Sequence, residues 1–577
     1  MIVSISHLPL VFPGRFFTNV PDHTRPAPNP KRLPTPGPTI LALLSPCPVM
    51  SISAPLRQSI VSNFKLQGLS LKNEAASLLV QALEPHYSNS EELERIIDMI
   101  IEAIQKQPLK SSLIGREVVE IAIEECNTSS DADTEKAFVL INAYDMPKFS
   151  YHVDRKKFLP VPKGSVKLHS GASAKETLFK ERYTILQQRT MRHELFTPAA
   201  LGQPVQSSSK FQLQTVEYLL SSSGLPDKII VLGMLSQLKE GTFHLEDPTG
   251  AVELDLSQCT FHMGLFVESS LVLAEGLYED KVFHVEAIGF PPPESATDSR
   301  LYFGNTNFFG GPSSICARSS VKLQAMLEEH GSAMLVFLSD VHLDEPRVME
   351  KLSVLFSGYS EEPPIAFVLM GNFSATPYGP LRYQKMKEKF TALGDLILQF
   401  PTLIEKSQFV FVPGPTDPGP GNVLPFPAIP SNLTSGITER IPSAQFCSNP
   451  TRIQFCSQEI VVFREDIMTK LCRHCVKFPT ETTDLSNHYT KTLLSQAHLC
   501  PLPLHTRPVY WQYDHALRLY PLPDLVVMGD KSDPFTVTAN ECTVTNVGSF
   551  LRTGFEFKVY VPAKKIVEDS KIVDSTV

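Results

Sequence analysis

The residues best suited to chemistry stand where apolar runs of the C-terminal half stop. Met334–Ser339 ends in Asp340-Val341-His342, and Ile365–Met370 ends in Gly371-Asn372-Phe373-Ser374-Ala375. Phe409–Pro413 ends in Gly414-Pro415-Thr416-Asp417, and Asp524–Met528 ends in Gly529-Asp530-Lys531-Ser532. In sheets wound from alternating strands and helices, polar residues at the carboxyl ends of the strands are where ligands are held. A second candidate is Cys472-Arg473-His474-Cys475. Its spacing is half of a structural zinc site, which needs another ligand pair. The nearest upstream cysteines, Cys447 and Cys456, lie nine positions apart around a strand-like run. Two ordinary thiols near the end of a helix are therefore the better reading.

The elements that would position the strand ends read clearly. A helix is predicted over Arg347–Phe356 and another over Tyr383–Leu398, between the apolar runs, so strand, helix, strand, helix, strand makes a parallel βαβ core. Later strands are predicted at Ile453–Phe455, Glu459–Phe463, Asp524–Met528 and Phe555–Val561. Upstream, Phe243–Asp247 and Ala251–Asp255 flank Pro248-Thr249-Gly250, the turn chemistry of a hairpin. Leu271–Gly276 and Val282–Ile288 form a second, and Ile229–Leu235 is a buried strand. Such meandering hairpins suggest a five-stranded OB-type barrel over 147–298, with its preceding linker helix. That fold would bind single strands through a basic groove with stacking aromatics. Its strands instead carry Glu246, Asp247, Glu253, Asp255, Glu275, Glu279 and Asp280, which favours contact with protein over DNA. Helices are expected at Lys175–His193, a mixed-charge face of solvated or salt-bridged type, and at Phe211–Leu220.

Over 51–146 the period is helical. Leu93, Ile96, Ile97, Ile100, Ile101 and Ile104 form one apolar stripe, Ser88 and Glu91 have capping-box spacing, and Pro108 ends the run. Further helices are predicted at Leu56–Leu69, Asn73–Leu83, Gly115–Cys126 and Asp133–Tyr144. A helical docking domain with no catalytic residue follows. Residues 1–50 are proline-dense and read as a disordered extension, with Met50 as a true or alternative start.

Composition bounds the function. A chain of 577 residues predicts three to five domains. The charge of −9, from 52 basic and 61 acidic residues, disfavours a protein that coats nucleic acid. Ten irregularly spaced cysteines suggest reduced thiols in the cytosol or nucleus, and no apolar run is long enough to span a membrane.

The strand ends resemble the calcineurin-like metallophosphoesterases, whose motifs read Asp-x-His, Gly-Asp-x-x-Asp, Gly-Asn-His-Asp/Glu, a lone His and Gly-His-x-His. Two metals about 3.5–4 Å apart clamp the phosphate there. Asp340-Val341-His342 keeps the first motif. Asn372 stands where the second needs an acid and cannot bridge two dications. Thr416 falls within the lost third motif, Asp530 and Ser532 replace the histidines of the last, and His488 or His498 is left to supply the lone imidazole. The resemblance implies a dismantled site, with no catalytic, metal or cofactor residue, and Asp340 and His342 as remnants.

A helical cap, an OB barrel and an inactivated phosphoesterase, 299–577, together resemble the second (B) subunits of eukaryotic DNA polymerase epsilon. The run Arg182-Tyr183-Thr184-Ile185-Leu186-Gln187-Gln188-Arg189-Thr190, the barrel turn Phe243–Gly250, Gly371-Asn372-Phe373 and Val412-Pro413-Gly414-Pro415 carry this resemblance. It covers about 51–577. It implies a multidomain α+β fold: an N-terminal helical bundle, an OB-type β-barrel and a two-layer α/β phosphoesterase-like domain. It also implies a non-catalytic accessory subunit that binds the C-terminal region of the polymerase catalytic subunit. Its other partners would be small histone-fold subunits, the replicative helicase, and DNA as part of the complex. The setting would be chromosomal replication and DNA repair in the nucleus, with no membrane. The alternatives are an active phosphodiesterase and an autonomous single-strand binder.

Overall fold

The computed structural model describes residues 53–573 except 84–95, 105–112, 124–136, 163–165, 198–210, 380–382, 481–484 and a few single positions. The chain divides into two compact units, Met1–Ile123 and Glu124–Val577.

The first unit is helical. Helices Ser53–Leu66 and Asn73–Leu83 are followed by helical residues within 96–104 and 116–123. Leu56, Ile60 and Phe64 recur every fourth residue and are buried, as are Leu79, Ile97, Ile100, Ile101 and Ile104. This periodicity gives each helix one buried stripe. Ser70–Leu71 pairs in parallel with Leu113–Ile114, a two-residue ladder that the helical pattern does not announce. The extension 1–50, the Ser88/Glu91 capping box and Pro108 lie outside the described residues.

The expected helix over 133–144 is not formed at its described end. Phe138–Asn142 is a strand, antiparallel to Thr451–Phe455. Its run Phe-Val-Leu-Ile is as good a buried strand as a helix turn, and the vacant sheet edge decides between them. The first unit therefore closes at Ile123, and the stretch up to 146 belongs to the second. The expected helix over 211–220 shrinks to Val216–Leu220, behind a Thr215 cap and the short strand Leu213–Gln214.

In the second unit the barrel forms from Gly224–Lys239, Thr242–Asp247, Gly250–Asp255, Leu271–Glu279 and Val282–Gly289. Both expected hairpins are present. Parallel pairing of Glu253, Leu254 and Asp255 with Val282, Phe283 and His284 closes the barrel. The turn is held by Asp247, whose carboxylate accepts from the backbone N–H groups of Thr249, Gly250 and Val216. Val231, Leu235, Leu245, Val272 and Phe283 fill its core.

The α/β part pairs helices with sheet twice over. One six-stranded sheet runs Ala444–Phe446, Gln408–Val412, Ala366–Met370, Leu335–Leu338, Glu556–Val561, Ile566–Lys571, its first four strands parallel. The other runs Phe535–Ala539, Cys542–Asn546, Leu525–Met528, Gln458–Phe463, Thr451–Phe455, Phe138–Asn142. Phe337, Val368, Val410, Ile453, Val462 and Val527 meet between the sheets. Helices Pro346–Gly358, Tyr383–Ile397 and Ser431–Thr438 cover the first sheet's outer face. Pro346 opens its helix at a position where no N–H is needed. Helix Leu485–Gln496 covers the second.

That last helix also fastens the barrel. His488 Nδ1 accepts from Gly264 N–H (3.0 Å), Thr492 Oγ1 from Leu265 N–H (2.9 Å), and Gln496 Oε1 from Leu271 N–H (2.9 Å). These three residues lie four apart, on one helix face. The long helix Ser173–Arg192 takes the salt-bridged form of the expected face. Arg182 pairs with Asp514, Arg192 with Glu294 and Glu181 with Lys148 and Arg518.

Because Phe138–Asn142 completes the second sheet, a chain beginning at 130 should fold and one beginning at 147 should not. Loss of buried Ile141 alone is worth about 2–5 kcal/mol, and a bare strand edge invites aggregation. Thermal unfolding and gel filtration of the two truncations check this; equal midpoints would show the strand to be dispensable.

Candidate functional site

The C-terminal ends of both sheets converge on one buried cluster, and at its centre is a side chain that the strand-end motifs did not contain. Arg464 follows the strand Gln458–Phe463 and is fully buried. Its Nη2 donates to Asp340 Oδ1 at 2.6 Å, its Nη1 to Asp466 Oδ1 at 2.9 Å, and its Nε to the Gly371 carbonyl at 2.6 Å. Asn449 holds its backbone, accepting from Arg464 N–H and donating to its carbonyl. Asp340 and Gly371 end strands of the first sheet and Arg464 ends one of the second, so one guanidinium ties the two sheets together.

Asp340 is 1% exposed. Burial pushes its carboxyl up, but the Arg464 charge and hydrogen bond outweigh that and hold it below the usual carboxylate range. Asn372 lies beside it, donating from N–H (3.2 Å) and Nδ2 (3.3 Å) to the same Oδ1, while its Oδ1 accepts from Thr416 N–H at 3.0 Å. The amide is thus a clip between two strand ends, and Thr416 takes part through its backbone. An aspartate here would set a second carboxylate against Asp340. His342 Nε2 is 3.9 Å from Asp340 Oδ1, and its Nδ1 is buried without a partner. Burial, with help from Arg464 and Lys531, lowers its pKa against the pull of Asp340 and Asp344.

Asp417 and Asp530 hold backbone. Asp417 accepts from Phe373 N–H and Gly414 N–H, each at 2.8 Å, and burial pushes its carboxyl up to about 7. A side chain on Gly371 would overlap Asp417, and one on Gly414 would overlap Asn372, so the crossing needs both glycines. Asp530 accepts from Ile467 N–H (2.6 Å), Met468 N–H (2.8 Å) and Ser532 N–H (2.9 Å). It therefore satisfies the free donors where helix Met468–His474 begins. Ser532 Oγ accepts from Asn546 Nδ2.

Neither candidate for the lone imidazole reaches this cluster. His488 clips the barrel. His498 is buried against Asp514 and Arg182, and burial lowers its pKa to about 4. Cys472 and Cys475 are half-buried at the end of a helix, with thiols pushed up by burial. Cys447 and Cys456 are buried separately. Among the described residues no group of three or more His, Cys, Asp and Glu is placed to hold a metal ion.

The arrangement orders the strand ends. The strand-end motifs omit Arg464 and Asp466. The signal for them is Phe463-Arg464-Glu465-Asp466, three charges directly after an apolar strand, and a resemblance to phosphoesterases directs attention instead to where metal ligands ought to be.

An OB barrel joined to a two-sheet α/β sandwich fits the class of B-type polymerase subunits. Residues 335–537 match the family of B subunits of DNA polymerases alpha and epsilon, 172–292 match the OB-fold domain of DNA polymerase epsilon subunit 2-like proteins, and 52–126 match DNA polymerases epsilon N terminal. DNA polymerase epsilon subunit 2 of Bos taurus is 52% identical over 90% of this chain and 98% of its own. The Homo sapiens protein of that name has the same figures, and that of Drosophila melanogaster is 41% identical over 90% and 98%. The chain belongs to the DNA polymerase epsilon subunit 2 family. Among solved structures, an archaeal phosphodiesterase aligns with 41% of this chain and 99% of its own at 10% identity and a TM-score of 0.23, too slight a likeness to build on.

Replacing Arg464 by Met should strand the Asp340 charge and destabilise the fold by about 3–5 kcal/mol, and Asp340→Asn in the same chain should restore part of it. Urea unfolding measures both. The sign with pH follows from the depressed Asp340 value. Its stabilisation is present above the ordinary aspartate range, near pH 4, and is lost as pH falls through the lower folded value. Asp340→Asn alone should flatten that limb of the stability profile; an unchanged limb would place the acid sensitivity elsewhere.

Proposed function

We propose that the chain is a non-catalytic accessory subunit of the DNA polymerase epsilon complex, which stabilises the catalytic subunit and links it to the replicative helicase. The observation that carries this reading is identity of 52% over 90% of the chain to subunit 2 of that polymerase. The site supports it: the cluster that would hold two dications is filled by Arg464. In this reading the barrel and the sandwich, locked together through helix Leu485–Gln496, present one rigid surface to the C-terminal region of the catalytic subunit. The helical unit is the docking module toward the helicase, small histone-fold subunits complete the assembly, and DNA is met as part of the complex. The setting is nuclear, in chromosomal replication and DNA repair. No helix of the described residues is long and apolar enough to cross a membrane.

The domains serve this division of labour as 1–50 extension, 51–146 helical docking, 147–298 barrel and 299–577 inactive phosphoesterase, with the helical boundary drawn back to Ile123. The alternatives fare worse. A phosphodiesterase would need metal ligands, and among the described residues no three His, Cys, Asp or Glu are grouped to hold a metal ion. A single-strand binder would want a basic groove, whereas the described barrel charges pair locally, as Lys228 and Glu286 do.

Two assays test the reading. Co-purification of a 124–577 fragment should retain the C-terminal region of the catalytic subunit and lose the helicase. The converse result would overturn the assignment of surfaces. The purified chain with manganese should not turn over a chromogenic phosphodiester; turnover abolished by His342→Ala would restore the site to catalysis.

A further inference from the structure

Beyond the strand-end cluster, the chain that follows buried Phe373 reaches the surface as Ser374-Ala375-Thr376-Pro377, of which Ala375, Thr376 and Pro377 are exposed. Proline fixes its own φ and keeps the preceding residue extended. Protein kinases of the proline-directed class select a hydroxyl presented in that way. The same step occurs at Thr35-Pro36, Ser45-Pro46 and Thr197-Pro198. The first two lie outside the described residues. Thr197 has its hydroxyl engaged, donating to the carbonyls of Arg192 and His193 at 3.0 Å each. Among the described residues the Thr376 hydroxyl has one hydrogen-bond contact, with Ser374 Oγ at 3.3 Å.

Its surroundings suit a phosphate. Thr376 lines a surface recess together with Asp344, Lys385 and Lys389, the charged groups of that recess. The two lysines are one turn apart on helix Tyr383–Ile397. Among the described residues neither has an ion-pair or hydrogen-bond partner. The Asp344 carboxylate is occupied, accepting from Ser374 Oγ and Ala375 N–H at 2.9 Å each. A phosphothreonine carries about −1.5 to −2 charges at pH 7 and three strong acceptor oxygens. At 376 that charge would enter a recess with two ammonium groups and one carboxylate. The cations outweigh the acid, so the phosphate is drawn toward the helix.

We propose that Thr376 is a phosphorylation site for a proline-directed protein kinase, and that Lys385 and Lys389 receive the phosphate. The kinase transfers the γ-phosphoryl group of ATP. The bond from Thr376 Oγ1 to phosphorus forms, the bond from that phosphorus to the β–γ bridging oxygen breaks, and ADP leaves. The hydroxyl proton passes to the kinase's catalytic aspartate. Charge-assisted hydrogen bonds then tie the 374–377 loop to helix Tyr383–Ile397, so a kinase can set the order of a surface loop next to the Asn372 strand end.

The test uses the full chain, incubated with ATP, magnesium and an activated mitogen-activated protein kinase. Peptide mass spectrometry should place a phosphate on Thr376, and Thr376→Ala should lack it. A chain left unmodified at 376 overturns the proposal. Phosphorus NMR then reads the lysines, the Thr376 signal being the one missing from Thr376→Ala. The second ionisation of a phosphothreonine lies at about pH 6. Beside two ammonium groups it should fall by about half a unit, and Lys385→Gln with Lys389→Gln should raise it again. That double variant keeps the acceptor and its proline, and it alters a helix surface where Lys385 is exposed and Lys389 half-buried. Equal ionisation in the wild-type and doubly substituted chains would overturn the assignment of the lysines.

Discussion

A guanidinium with no exposure to water must be surrounded by partners or the fold cannot close around it. Arg464 meets that condition by reaching from the second sheet into the first, where Asp340 and the Gly371 carbonyl wait, with Asp466 on its flank. The rest of the crossing is arranged around this contact. Asn372 shares the Asp340 oxygen, and Gly371 and Gly414 are bare so that backbone can pass. Asp417 and Asp530 are spent on backbone N–H groups. The guanidinium between Asp340 and Asp466 is a positive charge supplied at this crossing by the chain itself.

Rigidity at the strand ends extends outward through helix Leu485–Gln496. One face packs on the second sheet, and its His488, Thr492 and Gln496 bond to the 264–271 segment of the barrel. Those bonds are directed to backbone, so they fix where the barrel segment sits and not merely that it touches. The ion pairs of helix Ser173–Arg192 with Asp514, Arg518 and Glu294 close the same junction from the other side. Buried ion pairs of this sort contribute little net stability compared with apolar packing, and breaking one is costly. Such pairs specify one docking geometry, which a binding scaffold needs more than an enzyme with a mobile lid does.

Much of this was legible in the sequence because it is periodic or punctuated. The Ile97–Ile104 stripe, the Pro248-Thr249-Gly250 turn and the strand–helix alternation from Met334 onward all appear where their patterns place them. What was not legible is non-local. Phe138–Asn142 has an apolar run that suits either structure, and only the free edge of Thr451–Phe455, more than 300 positions away, makes it a strand. The basic helix reads as a solvated or salt-bridged face, and its partners Asp514 and Arg518, which decide for salt bridges, are equally remote. His488 and His498 were plausible ligands by type, but a histidine's role depends on what packs around it. Arg464 was invisible for another reason: phosphoesterase motifs specify anionic and imidazole ligands, and the residue that fills the vacancy is of the opposite charge.

The charge of Arg464 also constrains what its neighbours can be. An acid at 372 would place a carboxylate beside Asp340, whose partner Arg464 is also paired with Asp466. Removing Arg464 as well would leave carboxylates converging without compensation in a dry space, before any metal could bind. Either change would cost stability, because each leaves buried carboxylates with less positive charge to face. The strand ends are therefore held in a self-consistent structural state. Within the second unit, Arg464 ties the two sheets to each other and helix Leu485–Gln496 ties them to the barrel.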